Sequence, residues 1–303
     1  MSYQPKMKDK LLNHKEREIA FNKFIVSEYL KYGSVDSVFI KNNYDIPVSY
    51  PQVHRIIKNW GIVKSAGPNS TFSEALCYLA LFSGYNLSPE SVYRKFPPSF
   101  QTSLSTMYRI LHHVKEGLIR RVGTALILTP YKSPEQILVG DDVSTPRLEL
   151  GKPFGSVSFP MGYSKEGEDT KDSILRVLQR EAFTKEAIDQ KLSTKFIPKN
   201  AQPFMFLDVA DVRVAVYHLE LPEALSDRKS LSSFKLKNFR FTSLDSLINP
   251  NGNKDHFRTG IREMAVGYYK HLAINEDGAV RPAILKSFVN TNLYKEAAFT
   301  SEE

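Results

Sequence analysis

The 303-residue chain predicts a multidomain protein, an all-α tandem repeat followed by an α/β domain. Three observations lead there. Residues 34–57 recur without a gap as residues 88–111, with seven of the 24 positions identical. The whole formal charge of +8 lies in residues 1–121, which hold 17 Lys or Arg against 9 Asp or Glu; the remainder carries 24 of each. Directly after Arg120-Arg121 the texture changes from helical spacing to short apolar runs bounded by turns. The boundaries implied are 1–66 and 67–121 for two helical modules, 122–285 for the α/β domain and 286–303 for a tail.

Each helical unit reads as three helices. In the first, Glu18–Leu30 places Ile19, Phe21, Phe24, Ile25 and Tyr29 along a helix that stops at Gly33. Ser34 is suited to cap a short helix to about Lys41. Ser49 is suited to cap a third, with Pro51 in the first turn, where a missing N–H costs nothing. That helix buries Val53, Ile56, Ile57 and Trp60 on one side and closes at Gly61. The second unit opens on a capping box, Thr71-x-x-Glu74. Ser88-Pro89 begins its short helix, and Ser103 begins its third, with Met107, Ile110, Leu111 and Val114 inward.

Composition closes off several classes. No run of about 18 apolar residues is present to cross a bilayer, and the start MSYQPKMKDK has no apolar core of a secretory signal. Cys77 is the only cysteine, which excludes an internal disulfide and a cysteine-rich zinc module. A cytoplasmic setting is the expectation. The concentrated positive charge points to a nucleic acid or another anionic surface as partner of the first half.

A turn before a capped, basic third helix resembles the helix-turn-helix modules of transposases, resolvases and paired-type regulators. The expected fold of residues 1–121 is therefore a pair of tandem helix-turn-helix repeats, and the expected partner is double-stranded DNA. In that geometry the start of the third helix faces base edges in the major groove. The corresponding residues are Tyr50, Gln52, His54 and Arg55 in the first unit, and Leu104, Ser105, Thr106, Tyr108 and Arg109 in the second. Lys58 and His112 are placed to approach phosphates. An exposed face of a helical protein-binding module remains the alternative reading.

In the second half, Gly123–Thr129 and Gln136–Val139 read as strands around the turn Tyr131–Pro134. A helix is expected over about Lys171–Ile188, then strands at Phe204–Leu207 and Val212–Leu221. Phe239–Leu247 reads as a strand and turn before a last helix, Thr259–Leu272. Asp141-Asp142 reads as a solvated turn. His112-His113, His218, His256 and His271 have no metal-ligand spacing.

After the second strand, and running into that helix, stands Gly162-x5-Glu168-x7-Arg176-Val177-Leu178-Gln179-Arg180-Glu181. This resembles the Nudix box, Gly-x5-Glu-x7-Arg-Glu-U-x-Glu-Glu-x-Gly-U, where U is bulky and apolar. The resemblance covers about Val122–Leu272 and implies a Nudix-type αβα sandwich. Gly162, Glu168, Arg176, Leu178 and Glu181 keep the pattern. Val177 and Arg180 stand where the family has two glutamates that gather around Mg²⁺, and Phe183-Thr184 replaces the closing glycine and apolar residue. Glu168 and Glu181 are the box carboxylates left as metal ligands, with Glu166 and Asp169 nearby. An isopropyl group and a guanidinium cannot serve a cation that needs hard anionic oxygens.

Two functions remain open on these residues. One is a DNA-binding transcriptional regulator with a catalytically degenerate Nudix-like domain, acting as a nucleotide-ligand sensor or a homodimer platform. It resembles regulators that join a Nudix-like domain to a DNA-binding module, although the order of the two parts is reversed here. The other is an active Mg²⁺-dependent Nudix hydrolase of nucleoside diphosphate derivatives, held on nucleic acid, with Glu181 and Glu168 catalytic.

Overall fold

The computed structural model describes residues 13–64, 89–94, 103–105, 108, 121–146, 151–165, 167–209, 212–249, 256–274, 282–287 and 291. Helix α1, His14–Tyr32, begins four residues before the sequence expectation because Asn13 and Glu16 form a reciprocal capping box. It ends at Gly33, whose φ of 85° lets its N–H reach the Tyr29 carbonyl at 2.7 Å. Ser34 caps α2, Val35–Lys41, by accepting the Ser37 N–H. Ser49 stands at the N-cap position of α3, Tyr50–Asn59, but accepts no backbone bond, so extended backbone and Pro51 set that start without the expected side-chain cap.

Of the second unit, the described pieces fall in the register of the repeat. Helix α4, Pro89–Tyr93, begins 54 residues after α2. Residues 104, 105 and 108 are helical where α3 would place its own 50, 51 and 54. The Tyr108 hydroxyl donates to the Glu90 carboxylate. The capping box expected at Thr71–Glu74, and Cys77, lie outside the described residues.

Among the described residues, the α/β part contains a five-stranded and a three-stranded sheet. The five-stranded sheet has the order β4 (Met161–Ser164), β1 (Arg121–Thr129), β6 (Val212–Glu220), β5 (Met205–Val209), β8 (Ala283–Lys286). The smaller sheet has the order β3 (Ser156–Ser158), β2 (Gln136–Asp142), β7 (Leu236–Ser243). Strand β1 runs parallel to β6 over its whole length, Arg121 opposite Val212 to Thr129 opposite Glu220. Seven consecutive β1 residues, Gly123–Thr129, are buried, which is why the run GTALILT shows no polar alternation.

Both faces of β1 are covered. Ala125 and Ile127 pack into one core with Met205, Val216 and, from helix α8 (Ile261–Ile274), Met264, Ala265 and Tyr268. Leu126 and Leu128 pack into another with Ile174, Val177, Leu178, Ala182 and Phe183 from the box helix and the turn that continues it. The sheet thus lies between two helical layers. A short helix, α7 (Leu244–Ile248), follows β7 as expected.

The box helix departs from the single continuous helix expected over Lys171–Ile188. Helix α5 covers Thr170–Val177, Leu178–Ala182 form a π turn, and α6 covers Thr184–Ile188. The Phe183 N–H bonds to the Leu178 carbonyl at 2.7 Å, five residues back. The Phe183 ring is completely buried, and carbonyls of the π turn are taken by Thr184 beside it and by the distant Ser232-Ser233. Ser233 Oγ and Thr184 Oγ1 donate to the Arg180 carbonyl at 2.9 and 3.2 Å, and the Ser232 N–H to that of Ala182 at 2.7 Å. No helix among the described residues is long and apolar enough to cross a membrane.

Candidate functional site

The box begins on β4, where Gly162 pairs with Thr124 of β1. A Cβ on Gly162 would meet Val177 at 3.8 Å, ordinary contact, so the strand and the start of the box helix lie side by side. Asp169 caps α5 by accepting the Lys171 N–H at 3.2 Å, a structural use of one acid expected near the site. Glu166 lies outside the described residues.

Each retained box carboxylate is held by a cation of the chain. Glu168 pairs through Oε1 with the Arg176 guanidinium, and its Oε2 accepts the Lys165 N–H at 3.1 Å. Glu181 is 4% exposed, and its Oε1 accepts from the Lys235 ammonium at 2.6 Å. Val177 is buried in the apolar core under the sheet rather than turned to a cleft. Among the described residues no three acids, histidines or cysteines come together in a way that could hold a metal ion. Among the described residues, the donors that a divalent cation needs are therefore spent or replaced, and these residues do not by themselves fit Mg²⁺.

The box helix instead holds the N-terminal helices. Arg176 donates through Nε to the Lys64 carbonyl at 2.7 Å and through Nη1 to the Tyr163 carbonyl at 3.1 Å. Burial lowers the pKa of its guanidinium, and the neighbouring Arg180 lowers it further. Gln179, itself buried, accepts the Val63 N–H at 3.0 Å and donates to the Gly61 carbonyl at 2.8 Å. Trp60 Nε1 donates to the Ile188 carbonyl at 3.0 Å, and Lys23 pairs with Asp189 at 2.6 Å.

Arg180 stands at the second position where the resembled pattern has a glutamate. Its Nη2 lies 2.8 Å from where a Cβ on Gly33 would stand. The guanidinium therefore sits against the C-terminal end of α1, where the helix presents partial negative charge. A carboxylate there would meet repulsion. Ala187 completes the merger by joining the buried core of Ile25, Leu30, Val38, Val53 and Ile57.

Helix α3 keeps its polar side outward. His54, Arg55 and Lys58 are exposed, while Val53, Ile56 and Ile57 are buried beneath them. Gln52 is half-buried, and Tyr50 stacks on Phe39 at 4.0 Å, so Tyr50 braces α2 against α3. In the second unit Ser105 and Tyr108 are exposed and Leu104 is half-buried. Thr106, Arg109 and His112 lie outside the described residues.

Asp141 and Asp142, expected as a solvated turn, lie instead at the end of β2. Asp142 is buried against Ser144, Lys152 and Arg258. Burial alone would raise its carboxyl, but the Ser144 hydroxyl and the two cations hold it below the ordinary range. Burial and the nearby Arg258 lower the Lys152 ammonium. Asp141 accepts from Arg240 at 2.7 Å and from Asn238 at 2.9 Å. Sequence pattern does not reveal this cluster, because Arg258 and Arg240 come from distant segments and only Lys152 from the following turn.

His218, which has no metal-ligand spacing in the sequence, is within hydrogen-bond distance of Thr129 Oγ1 at 3.0 Å and the Tyr268 hydroxyl at 3.1 Å. Burial, helped by His271, pushes its pKa down to about 4.

No protein-family model matches the chain, and no curated protein does. Solved structures similar to part of it include a C. elegans Ap4A hydrolase binary complex, at 14% identity over 52% of this chain and 100% of that one, with a TM-score of 0.34. An ADP-ribose pyrophosphatase from Streptococcus suis 89-1591 is 12% identical over 54% of this chain and 98% of its own, with a TM-score of 0.34. The MutT protein from Methanosarcina mazei Go1 is 10% identical over 53% and 98%, with a TM-score of 0.36.

Proposed function

We propose that the chain is a DNA-binding regulator whose α/β domain is a Nudix-type fold turned from hydrolysis to holding the N-terminal helices. One observation carries the reading: the positions that would gather a metal now bind the protein itself. Arg180 meets the end of α1 at Gly33, Glu181 pairs with Lys235, and Glu168 pairs with Arg176, which also grips the Lys64 carbonyl. The exposed His54, Arg55 and Lys58 on α3, together with a charge of +8 confined to residues 1–121, supply the side that would meet duplex DNA. Under this reading residues 1–121 carry the tandem helix-turn-helix units. The α/β domain is the platform on which a nucleotide-type ligand or a second copy acts.

A test uses the full chain and labelled duplex drawn from a random library, followed by fluorescence anisotropy against salt. Each phosphate neutralised contributes about −0.9 to the slope of log K against log salt. Arg55→Ala should cost about 1–3 kcal/mol if the guanidinium reads a base. Binding that is undetectable, or indifferent to salt, removes the regulator reading.

A second reading is favoured by the box residues that remain. Gly162, Glu168, Arg176, Leu178 and Glu181 stand at the family spacing without a gap. A Mg²⁺-dependent hydrolase of nucleoside diphosphate derivatives would need Lys235 and Arg176 to release the two carboxylates to the ion.

A further inference from the structure

The turn between α2 and α3 presents an exposed aromatic ring on a backbone that a bulky residue rarely adopts. Tyr44 has a φ of 57° and follows Asn43, whose φ is 52°. Asparagine visits this left-handed region readily, whereas a large side chain there is an outlier. The ring is nevertheless 65% exposed, and Ile40, four residues earlier on α2, is 53% exposed.

The end of α2 does not require Tyr44 to be left-handed. The Asn43 N–H bonds to the Ile40 carbonyl at 3.1 Å, and the Tyr44 N–H to the Phe39 carbonyl at 2.8 Å. A helix end closed by that pair of bonds needs the left-handed conformation only at the first of the two residues. Nor does the repeated unit require it. Pro97 and Pro98 stand 54 residues after Asn43 and Tyr44, and a proline ring holds φ at about −65°. Arg94 likewise stands in place of Ile40, so the tyrosine and the isoleucine belong to the first unit only.

The turn is also held firmly. Buried Asn42 donates to the Glu28 carboxylate at 2.9 Å and to the Val38 carbonyl at 2.8 Å. Tyr50, the first residue of α3, stacks on Phe39 at 4.0 Å, and Phe39 meets Tyr44 at 6.4 Å with the planes tilted by 37°. Three rings thus run from the start of α3 out to solvent, with Tyr44 outermost. Backbone strain kept in this way, by surroundings that over-determine it, gathers at binding sites.

The surroundings of the ring select its partner. Lys41 is exposed on α2, and Arg55 and Lys58 on α3, in the part of the chain that holds the whole excess of positive charge. An apolar tip among cations, at the start of a helix suited to the major groove, fits the apolar group that duplex DNA offers there, the thymine 5-methyl. We propose that Tyr44, with Ile40 on the same turn, covers a thymine methyl at the edge of the duplex site and makes the chain selective for an A·T pair. This rests on the DNA-binding reading above.

The test uses the full chain and the duplex it selects from a random library, beside the same duplex with every thymine replaced by deoxyuridine, which lacks only the methyl. The natural chain should bind the deoxyuridine duplex about fourfold more weakly for one fully covered methyl. Tyr44→Phe should keep that difference. Tyr44→Gly, whose backbone takes a positive φ without strain, should lose it, with the salt slope unchanged because no phosphate contact is removed. The urea midpoint of Tyr44→Gly should not fall, as followed by emission from Trp60, which donates to the Ile188 carbonyl. Equal affinity of the natural chain for the two duplexes, a difference that survives in Tyr44→Gly, or a selected duplex without an A·T pair overturns the proposal and leaves the DNA reading standing. A lost difference with a lowered urea midpoint makes Tyr44 a packing residue of the turn and overturns it as well. Undetectable duplex binding by the natural chain removes the DNA reading, and this inference with it.

Discussion

Replacing Lys235 by Met isolates what a buried box carboxylate does when its counter-charge is taken away. In the native chain Glu181 is 4% exposed and its Oε1 lies 2.6 Å from the Lys235 ammonium, whose side chain is 35% exposed. At an effective dielectric near 20, two unit charges at that separation attract by about 6 kcal/mol, most of it offset by desolvation. Removing one partner of a fully buried pair costs about 3–5 kcal/mol, and an exposed pair contributes about 0–1. With one partner a third exposed, Lys235→Met should destabilise the α/β domain by about 2–3 kcal/mol at pH 7. Urea unfolding followed by far-UV circular dichroism measures it. Glu181→Gln in the Lys235→Met background should recover more than half of the loss, because the orphaned charge is gone. A loss below about 0.5 kcal/mol, or no recovery in the double variant, would show that Lys235 does not neutralise Glu181.

Gly33→Ala should loosen the N-terminal helices from the box helix, since φ is 85° there and the added methyl would stand 2.8 Å from Arg180 Nη2. A left-handed non-glycine residue costs roughly 1–2 kcal/mol; adding Arg180→Ala should remove the clash but not that strain, as read from the urea dependence of Trp60 emission. Acid should weaken the fold through His218. Its pKa is about 4 when folded, against the ordinary 6.5, so stability is fully present above pH 6.5 and is lost as the pH falls toward 4. Between pH 7 and 5 that loss is about 2 kcal/mol, and His218→Asn should flatten the pH dependence of the urea midpoint.

Local pattern was enough for much of the fold. The apolar run GTALILT, the alternating stretch before Leu221 and the Ser34 cap each fix a structure within a few residues of themselves, and all appear where expected. The offset of 54 between α2 and α4 was legible for the same reason. What the chain does with its box was not. Arg180 and Val177 read in sequence only as missing ligands, because the partner of Arg180 lies near Gly33, almost 150 residues earlier. Likewise, Asp142 has the composition of a solvated turn until Lys152 and Arg258 are brought to it. The π turn depends on Ser232 and Ser233 taking the released carbonyls, a tertiary condition that helical periodicity does not encode. Glu168 and Glu181 were legible as box carboxylates; their capture by Arg176 and Lys235 was not.

Turnover separates a box that holds the chain from a box that serves a metal. The full chain is incubated with Mg²⁺ and ADP-ribose, and AMP release is followed by chromatography beside the Glu181→Gln variant. With Glu168 held by Arg176, Glu181 by Lys235, and Val177 and Arg180 in place of carboxylates, release should stay at background in both proteins. Robust Mg²⁺-dependent release by the natural chain, abolished in Glu181→Gln, would contradict the account and show that Glu181 leaves Lys235 to serve a metal.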